Sequence, residues 1–187
     1  MRTDILDYLA QELRTRCGKP SNRFGLECYS HIEAVVKNGA LLAERYGADK
    51  EVVMIASWLH DIASVTDHSL YEEHHLHGAE MARDLLTSLG YDSEKISLVQ
   101  ACIRSHRGSI QIEKRTLEEL CVADADAISH FDDLPSLLYL AYGIQGLGLE
   151  EGKAFVRSKL ERSFQKLSPA SKEYYREKCR RVLDLLA

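Results

Sequence analysis

Apolar residues recur along the chain at three- and four-residue spacings, the period of a helix with one buried face. Nowhere do they settle into the alternation of a half-buried strand. A first helix is predicted over residues 3–17, stopped by Cys17-Gly18-Lys19-Pro20. A second, over 27–46, carries Ile32, Val35, Val36, Ala40 and Ala43 on one face and ends at Gly47. A third begins behind Asp49, a good N-cap, presents Val52, Val53, Ile55, Ala56 and Leu59, and ends near Asp61. Residues 64–73 read as a polar connector. Helices follow over 75–89, closed by Gly90, over 93–105, closed by Gly108, and over 114–130. Pro135 starts a short helix that fades into the glycine-rich stretch 143–148. Two C-terminal helices, 150–166 and 168–186, complete the pattern, the second opened by Ser168-Pro169 as N-cap and first helical residue. The expectation is an all-α bundle of seven to nine helices.

Length makes this one domain. The chain has 187 residues, and those beyond the glycine-rich stretch are too few for a core of their own. The net charge of −5 argues against an extended nucleic-acid surface or an anionic-membrane binder. No run approaches the roughly 18 apolar residues of a membrane span, and the first twenty residues place acids and arginines where a secretory signal would be apolar. The five cysteines, Cys17, Cys28, Cys102, Cys121 and Cys179, include no CxxC pair, which fits a reducing, cytoplasmic setting.

The chemistry concentrates in histidine. Three separate helices point a histidine the way their apolar residues point: His31 one turn before Val35, His60 one turn after Ala56, and His106 one turn after Cys102. A buried imidazole with a single hydrogen-bond partner is a common structural feature. Three of them beside a carboxylate are costly to bury unless something rewards them, and a divalent metal does. His60-Asp61 is the sharpest pair. Adjacent helical residues do not share a face, but at a helix end the chain turns and both side chains can reach one ion.

This ordered set resembles the HD-domain metal-dependent phosphohydrolase superfamily, whose pattern is H…HD…D on a helical bundle. His31 matches the first histidine, His60-Asp61 the paired step within Trp58-Leu59-His60-Asp61-Ile62, and Val122-Ala123-Asp124-Ala125-Asp126-Ala127-Ile128 contains the final aspartate. His77 and His106 match further histidines of several branches. The resemblance covers residues 27–130, an HD-like metal-binding core, and leaves 131–187 as a C-terminal helical extension. It implies that His31, His60, Asp61 and Asp126 hold a divalent ion: manganese, iron, cobalt, nickel, zinc or magnesium. Two aspartates compete for the last place. The family phrase selects Asp126, in Ala125-Asp126-Ala127-Ile128. Helical periodicity instead puts Asp124 on the apolar stripe with Leu117, Cys121, Ile128 and Phe131. The aspartate left over is expected to orient a histidine or a water.

His77 and His106 are candidates for a second ion or for direct contact with phosphate. Arg104, Arg107, Lys114 and Arg115 flank the connector before the sixth helix, with Arg107 the leading candidate for a phosphate contact. The expected activity is hydrolysis of small phosphate esters or nucleotides, with pyrophosphatase action foremost. The alternatives are a signalling-nucleotide phosphodiesterase and a non-enzymatic metal-containing sensor or partner-binding module. One cyclic-dinucleotide branch carries glycine-tyrosine-proline after its later histidine; here Arg107-Gly108-Ser109 follows His106.

Overall fold

A computed structural model describes residues 1–107 and 112–186. Among the described residues there are ten α-helices and no strand: α1 Thr3–Cys17, α2 Cys28–Tyr46, α3 Lys50–Leu59, α4 Ile62–Thr66, α5 His74–Ser88, α6 Ser93–Ser105, α7 Leu117–Asp132, α8 Leu134–Tyr139, α9 Leu149–Lys166 and α10 Pro169–Asp184. The helix beyond the expected number is α4. With a 3₁₀ turn, His68–Glu73, it fills the stretch read from sequence as a polar connector. Ile62, Ala63, Ser64 and Val65 are buried, so α4 packs as a structural layer, while the 3₁₀ turn that follows has no buried residue. The stop assigned to Gly108 lies outside the described residues.

The expected caps form. Asp49 accepts the amides of Glu51 and Val52 at 3.0 and 3.2 Å, and Ser168 accepts that of Ser171 at 3.3 Å ahead of Pro169. α7 opens with a capping box that sequence reading did not identify: Thr116 accepts the Glu119 amide at 3.2 Å and Glu119 accepts the Thr116 amide at 3.0 Å. This places the start of α7 at Leu117 rather than residue 114.

α7 is the axis of the molecule. It packs against α2, α3 and α6 on one side and α9 and α10 on the other, and its residues divide between two apolar groups. Cys121, Val122 and Ala125 join the larger, built on α1 to α6. Ala127, Ile128 and Phe131 join the smaller, with Val156 and Leu160 of α9 and Cys179 of α10. Small residues set the closest approaches. A Cβ at Gly39 would lie 2.6 Å from Ser57 Oγ, and Gly78 brings α5 close to Ile103 and to the carbonyl of His60. These contacts draw α2, α3, α5 and α6 together around the end of α3, where His60 sits.

Candidate metal centre

Helix ends create the site. The last carbonyls of a helix have no intrahelical donor, and two histidines use them. His60 and His106 follow α3 and α6, and their Nδ1 atoms lie 2.7 and 2.6 Å from the carbonyls of Ser57 and Ile103. His74, at the junction between the 3₁₀ turn and α5, does the same with Tyr71 at 2.7 Å. A carbonyl only accepts, so each ring carries its proton on Nδ1 and turns a bare Nε2 lone pair inward. This is the state a metal ligand requires.

These nitrogens meet carboxylates in two clusters. His31, His60 and Asp126 form one; Asp61, His74 and His106 form the other. Within each, the donor atoms lie inside 4.8 Å of one another. His31 Nε2 is 3.4 Å from Asp126. Asp61 stands between the clusters: Oδ1 is 3.4 Å from His74 and 3.8 Å from His106, while Oδ2 is 3.5 Å from His60. The helix has ended at His60, so the side chain of Asp61 reaches the same region despite the adjacent numbering.

The residues fit a divalent cation by two observations. His60 Nε2 is fully buried and has no hydrogen-bond partner, a costly arrangement for a polar atom. The Nε2 atoms of His74 and His106 face each other at 3.3 Å, two lone pairs that only a cation or a proton can reconcile. Electrostatics agree. Burial pushes His60 down to about 4 against the pull of Asp61, which keeps it neutral. At His106 burial opposes protonation but Asp61 outweighs it and raises the pKa, so the second cluster attracts positive charge. Burial would raise the carboxyls of Asp61 and Asp126, yet the neighbouring histidines hold both well below the ordinary range.

The clusters lie in a cavity of about 1560 Å³ whose lining also includes Phe24, Tyr71, Arg107, Lys114, Lys159 and Lys166. His31, His60, Asp61, His106 and Asp126 thus come together around one cavity, but Asp61 groups with His74 and His106 rather than with the His31, His60 and Asp126 set expected to share one ion. His77 does not join them. Its side chain is 47% exposed and lies 3.9 Å from Glu73, and His74 takes the place beside His106. The face of α5 explains this: His74 shares it with Gly78 and Ala82, which are buried, whereas His77 shares its face with Met81 and Asp84.

Asp124 is also outside the cluster. It is buried, and its two oxygens accept the Ser168 amide at 2.8 Å and the Ser168 hydroxyl at 2.6 Å. It therefore ties α7 to the start of α10 and stands outside both donor clusters. The apolar stripe that pointed to Asp124 was reporting burial. Of the flanking cations, Arg107 and Lys114 line the cavity. Arg107 is bonded to the Glu72 carbonyl and lies 3.5 Å from the Glu72 carboxylate, while Arg104 is turned to Glu80 at 2.7 Å.

Sequence reading also left His130 without a role. One turn after Asp126, it lies 4.0 Å from that carboxylate and 3.3 Å from Ser163 Oγ, with its ring 4.7 Å from that of His31. Burial and the nearby Lys159 keep it neutral. The four-residue spacing from Asp126 was the available signal.

Fold and donor set together define an all-α helical bundle with two His/Asp clusters that could each hold a divalent ion. The model of the HD domain matches residues 28–130, more than half of the chain. The chain belongs to the HD-domain family. Among curated relatives, ribonuclease Y of Clostridium novyi (strain NT) is 32% identical over 123 residues, 65% of this chain but 22% of the relative. The chain therefore spans only about a fifth of the ribonuclease Y proteins it matches. Among solved structures, Bacillus subtilis YpgQ shares the fold with a TM-score of 0.70 at 16% identity, covering 97% of this chain and 91% of that one. The same protein in complex with ADP gives 0.65 at 19% identity, with 95% and 93% covered. A predicted HD superfamily hydrolase from an uncultured Thermotogales bacterium gives 0.57 at 22% identity, covering 100% of this chain and 93% of that one. No helix among the described residues is long and apolar enough to cross a membrane.

Proposed function

We propose that the protein is a metal-dependent phosphohydrolase whose substrates are nucleotides, with release of phosphate or pyrophosphate. The observation that carries this reading is the pair of donor clusters at one cavity, each with two imidazoles and a single carboxylate. His31, His60 and Asp126 would hold one divalent ion, and Asp61, His74 and His106 a second. Such an ion, when bound, polarises a phosphoryl oxygen and lowers the pKa of a water.

The chain's own groups do the rest. Each cluster contributes one negative charge, so a divalent cation would leave a positive excess, and an anionic substrate balances it. Asp61, with an oxygen facing each cluster and 30% of its side chain exposed, is placed to orient a water by accepting its proton. Arg107, fixed by Glu72 at the cavity wall, is placed to meet phosphoryl oxygens. Phe24, His68 and Tyr71 line the same cavity with ring centroids 5.5–5.7 Å apart, a surface on which a nucleobase can stack. The ADP complex of YpgQ supports a nucleotide in this fold. A cytoplasmic setting belongs to this proposal; the five cysteines are free thiols.

A second reading is hydrolysis of a phosphodiester in RNA, favoured by the ribonuclease Y matches over more than half of this chain. One assay separates the two. Protein reconstituted separately with manganese, magnesium, iron, cobalt, nickel or zinc is offered nucleoside mono-, di- and triphosphates, a small phosphate ester and a short oligoribonucleotide. Nucleotide turnover that chelation abolishes and metal restores supports the first reading. Cleavage of the oligoribonucleotide alone transfers the proposal to the second, and turnover indifferent to both chelation and Asp61→Ala rejects the mechanism.

A further inference from the structure

Lys159, Arg162 and Lys166 follow one another on α9 at spacings of three and four residues, which puts them on one helical face. All three line the cavity. Lys159 and Lys166 are partly buried, and among the described residues neither ammonium makes a hydrogen bond or an ion pair. Partial burial of an unpaired cation costs stability, and two of the acids that line the cavity are engaged elsewhere. Glu161 binds Arg157 at 3.0 Å, and Asp133 accepts the hydroxyls of Ser30 and Ser136 at 2.6 and 2.7 Å.

Asp61 and Asp126 attract Lys159 through space, but each is the only carboxylate of its donor cluster. A divalent ion there would use that negative charge and leave the lysines without any. An anion taken up by the cavity would then balance them. The row from Lys159 to Lys166 covers two helical turns, about 10 Å of axis at 1.5 Å per residue. That length suits a chain of phosphates better than a single one.

We infer that Lys159 and Lys166 form a cationic row that grips the phosphate chain of a nucleoside di- or triphosphate, so that the C-terminal helix α9 completes a cavity begun by the HD core. Both residues lie beyond the stretch that matches the family model. The inference deepens the proposed function and rests on it for the identity of the substrate.

The test uses manganese-reconstituted protein titrated calorimetrically with a methylene-bridged, non-hydrolysable adenosine triphosphate and, separately, with adenosine monophosphate. Lys159→Ala and Lys166→Ala are compared with the unchanged protein and with Lys50→Ala, a surface control paired to Glu44. Metal content is measured on every sample. Each cavity variant should keep its metal and bind the triphosphate analogue about ten-fold or more weakly, as expected for loss of a charge-assisted contact. Lys166→Ala should affect the monophosphate less than the triphosphate, and Lys50→Ala should change neither. Triphosphate affinities of both cavity variants within two-fold of the unchanged protein would overturn the inference, as would loss of metal in step with loss of affinity. Lysine-dependent binding without turnover of any nucleotide would keep the inference and reject the proposed function. Turnover of nucleotides with lysine-independent binding would do the reverse.

Discussion

Asp124 and Asp126 are two residues apart on α7, both buried, with different partners, so exchanging each for asparagine separates the proposed metal ligand from a structural anchor. Asp124 is 1% exposed and accepts two hydrogen bonds from Ser168, at 2.8 Å from the amide and 2.6 Å from the hydroxyl. A hydrogen bond to a charged acceptor contributes about 1.5–3 kcal/mol. Asp124→Asn keeps the shape and one acceptor oxygen. The Ser168 hydroxyl can turn to receive the new amide donor, so about 1–2 kcal/mol should be lost. Asp124→Ala removes both bonds. Ser168 is only partly buried and water can replace some of what is lost, so about 3 kcal/mol is expected. For a chain of this size each kcal/mol lowers Tm by roughly 2–4 °C, giving a fall of roughly 6–12 °C for the alanine variant.

Thermal unfolding followed by circular dichroism on metal-free protein measures that fall without the contribution of metal binding. Elemental analysis of reconstituted protein then measures the ligand role. Asp124→Asn should bind metal within about two-fold of the unchanged protein, a change of under half a kcal/mol. Asp126→Asn removes the only anionic donor of its cluster and should weaken metal there by more than the roughly 10–100-fold typical of outer positions. Its metal-free fold should survive, because an amide is easier to bury than a carboxylate. A folded Asp124→Asn that sheds metal at an unchanged Tm would refute the assignment of both residues.

Other consequences are measurable. His74→Ala should reduce the metal content of saturated protein from two ions to one, whereas His77→Ala should leave it unchanged; elemental analysis decides. Gly39→Ala drives a Cβ to 2.6 Å from Ser57 Oγ and should cost about 1–3 kcal/mol, part of which Ser57→Ala restores in the double variant, read by denaturant titration. Glu51 resists the upward push of partial burial because it accepts from the Arg2 amide, Lys95 and Tyr91, and is held down at about 2 from an ordinary 4.5. A depressed carboxyl stabilises the fold fully above its unfolded value and loses that contribution as pH falls from about 4.5 toward 2, here roughly 2–3 kcal/mol. Glu51→Gln should flatten the acid limb of stability over that window.

Much of this was legible in the chain, and the misses share a cause. Periodicity located the helices because each buries one face. It placed His31, His60 and His106 inward because they sit on the same stripe as Val35, Ala56 and Cys102. The same criterion erred at Asp124: a stripe records which residues are buried and is silent on whether a buried carboxylate meets a metal or the amide of a distant Ser168. At α4 the polar letters of residues 64–73 concealed a buried turn, because Ser64 is small enough to pack and sends its hydroxyl to Asp61 at 3.3 Å. At α5, His77 was chosen by its resemblance to a family histidine, whereas the buried face of the helix, with Gly78 and Ala82, is the one that carries His74. Lys159 and Lys166 had no local signal at all. Only the packing of α9 against α7 turns that face toward the cavity.

The HD step itself has a physical reading in this fold. Inside a helix, His60 and Asp61 would point about 100° apart and could not share a site. α3 stops at Leu59, and the chain changes direction between His60 and α4. The stop also frees the Ser57 carbonyl for His60 Nδ1, which fixes the tautomer. One helix terminus thus supplies the orientation of the imidazole, the bare nitrogen and the turn that delivers the carboxylate. His106 repeats the first two at the end of α6. Extending α3 by a turn, for instance by replacing Asp61 and Ile62 with alanine ahead of the native Ala63, should therefore disturb His60 as well as remove Asp61. The expected result is loss of both clusters rather than one, measured as metal content falling to below one ion per folded chain, against about one ion for Asp61→Ala alone. Equal metal content in the two variants would show that the helix end contributes nothing beyond the carboxylate it carries.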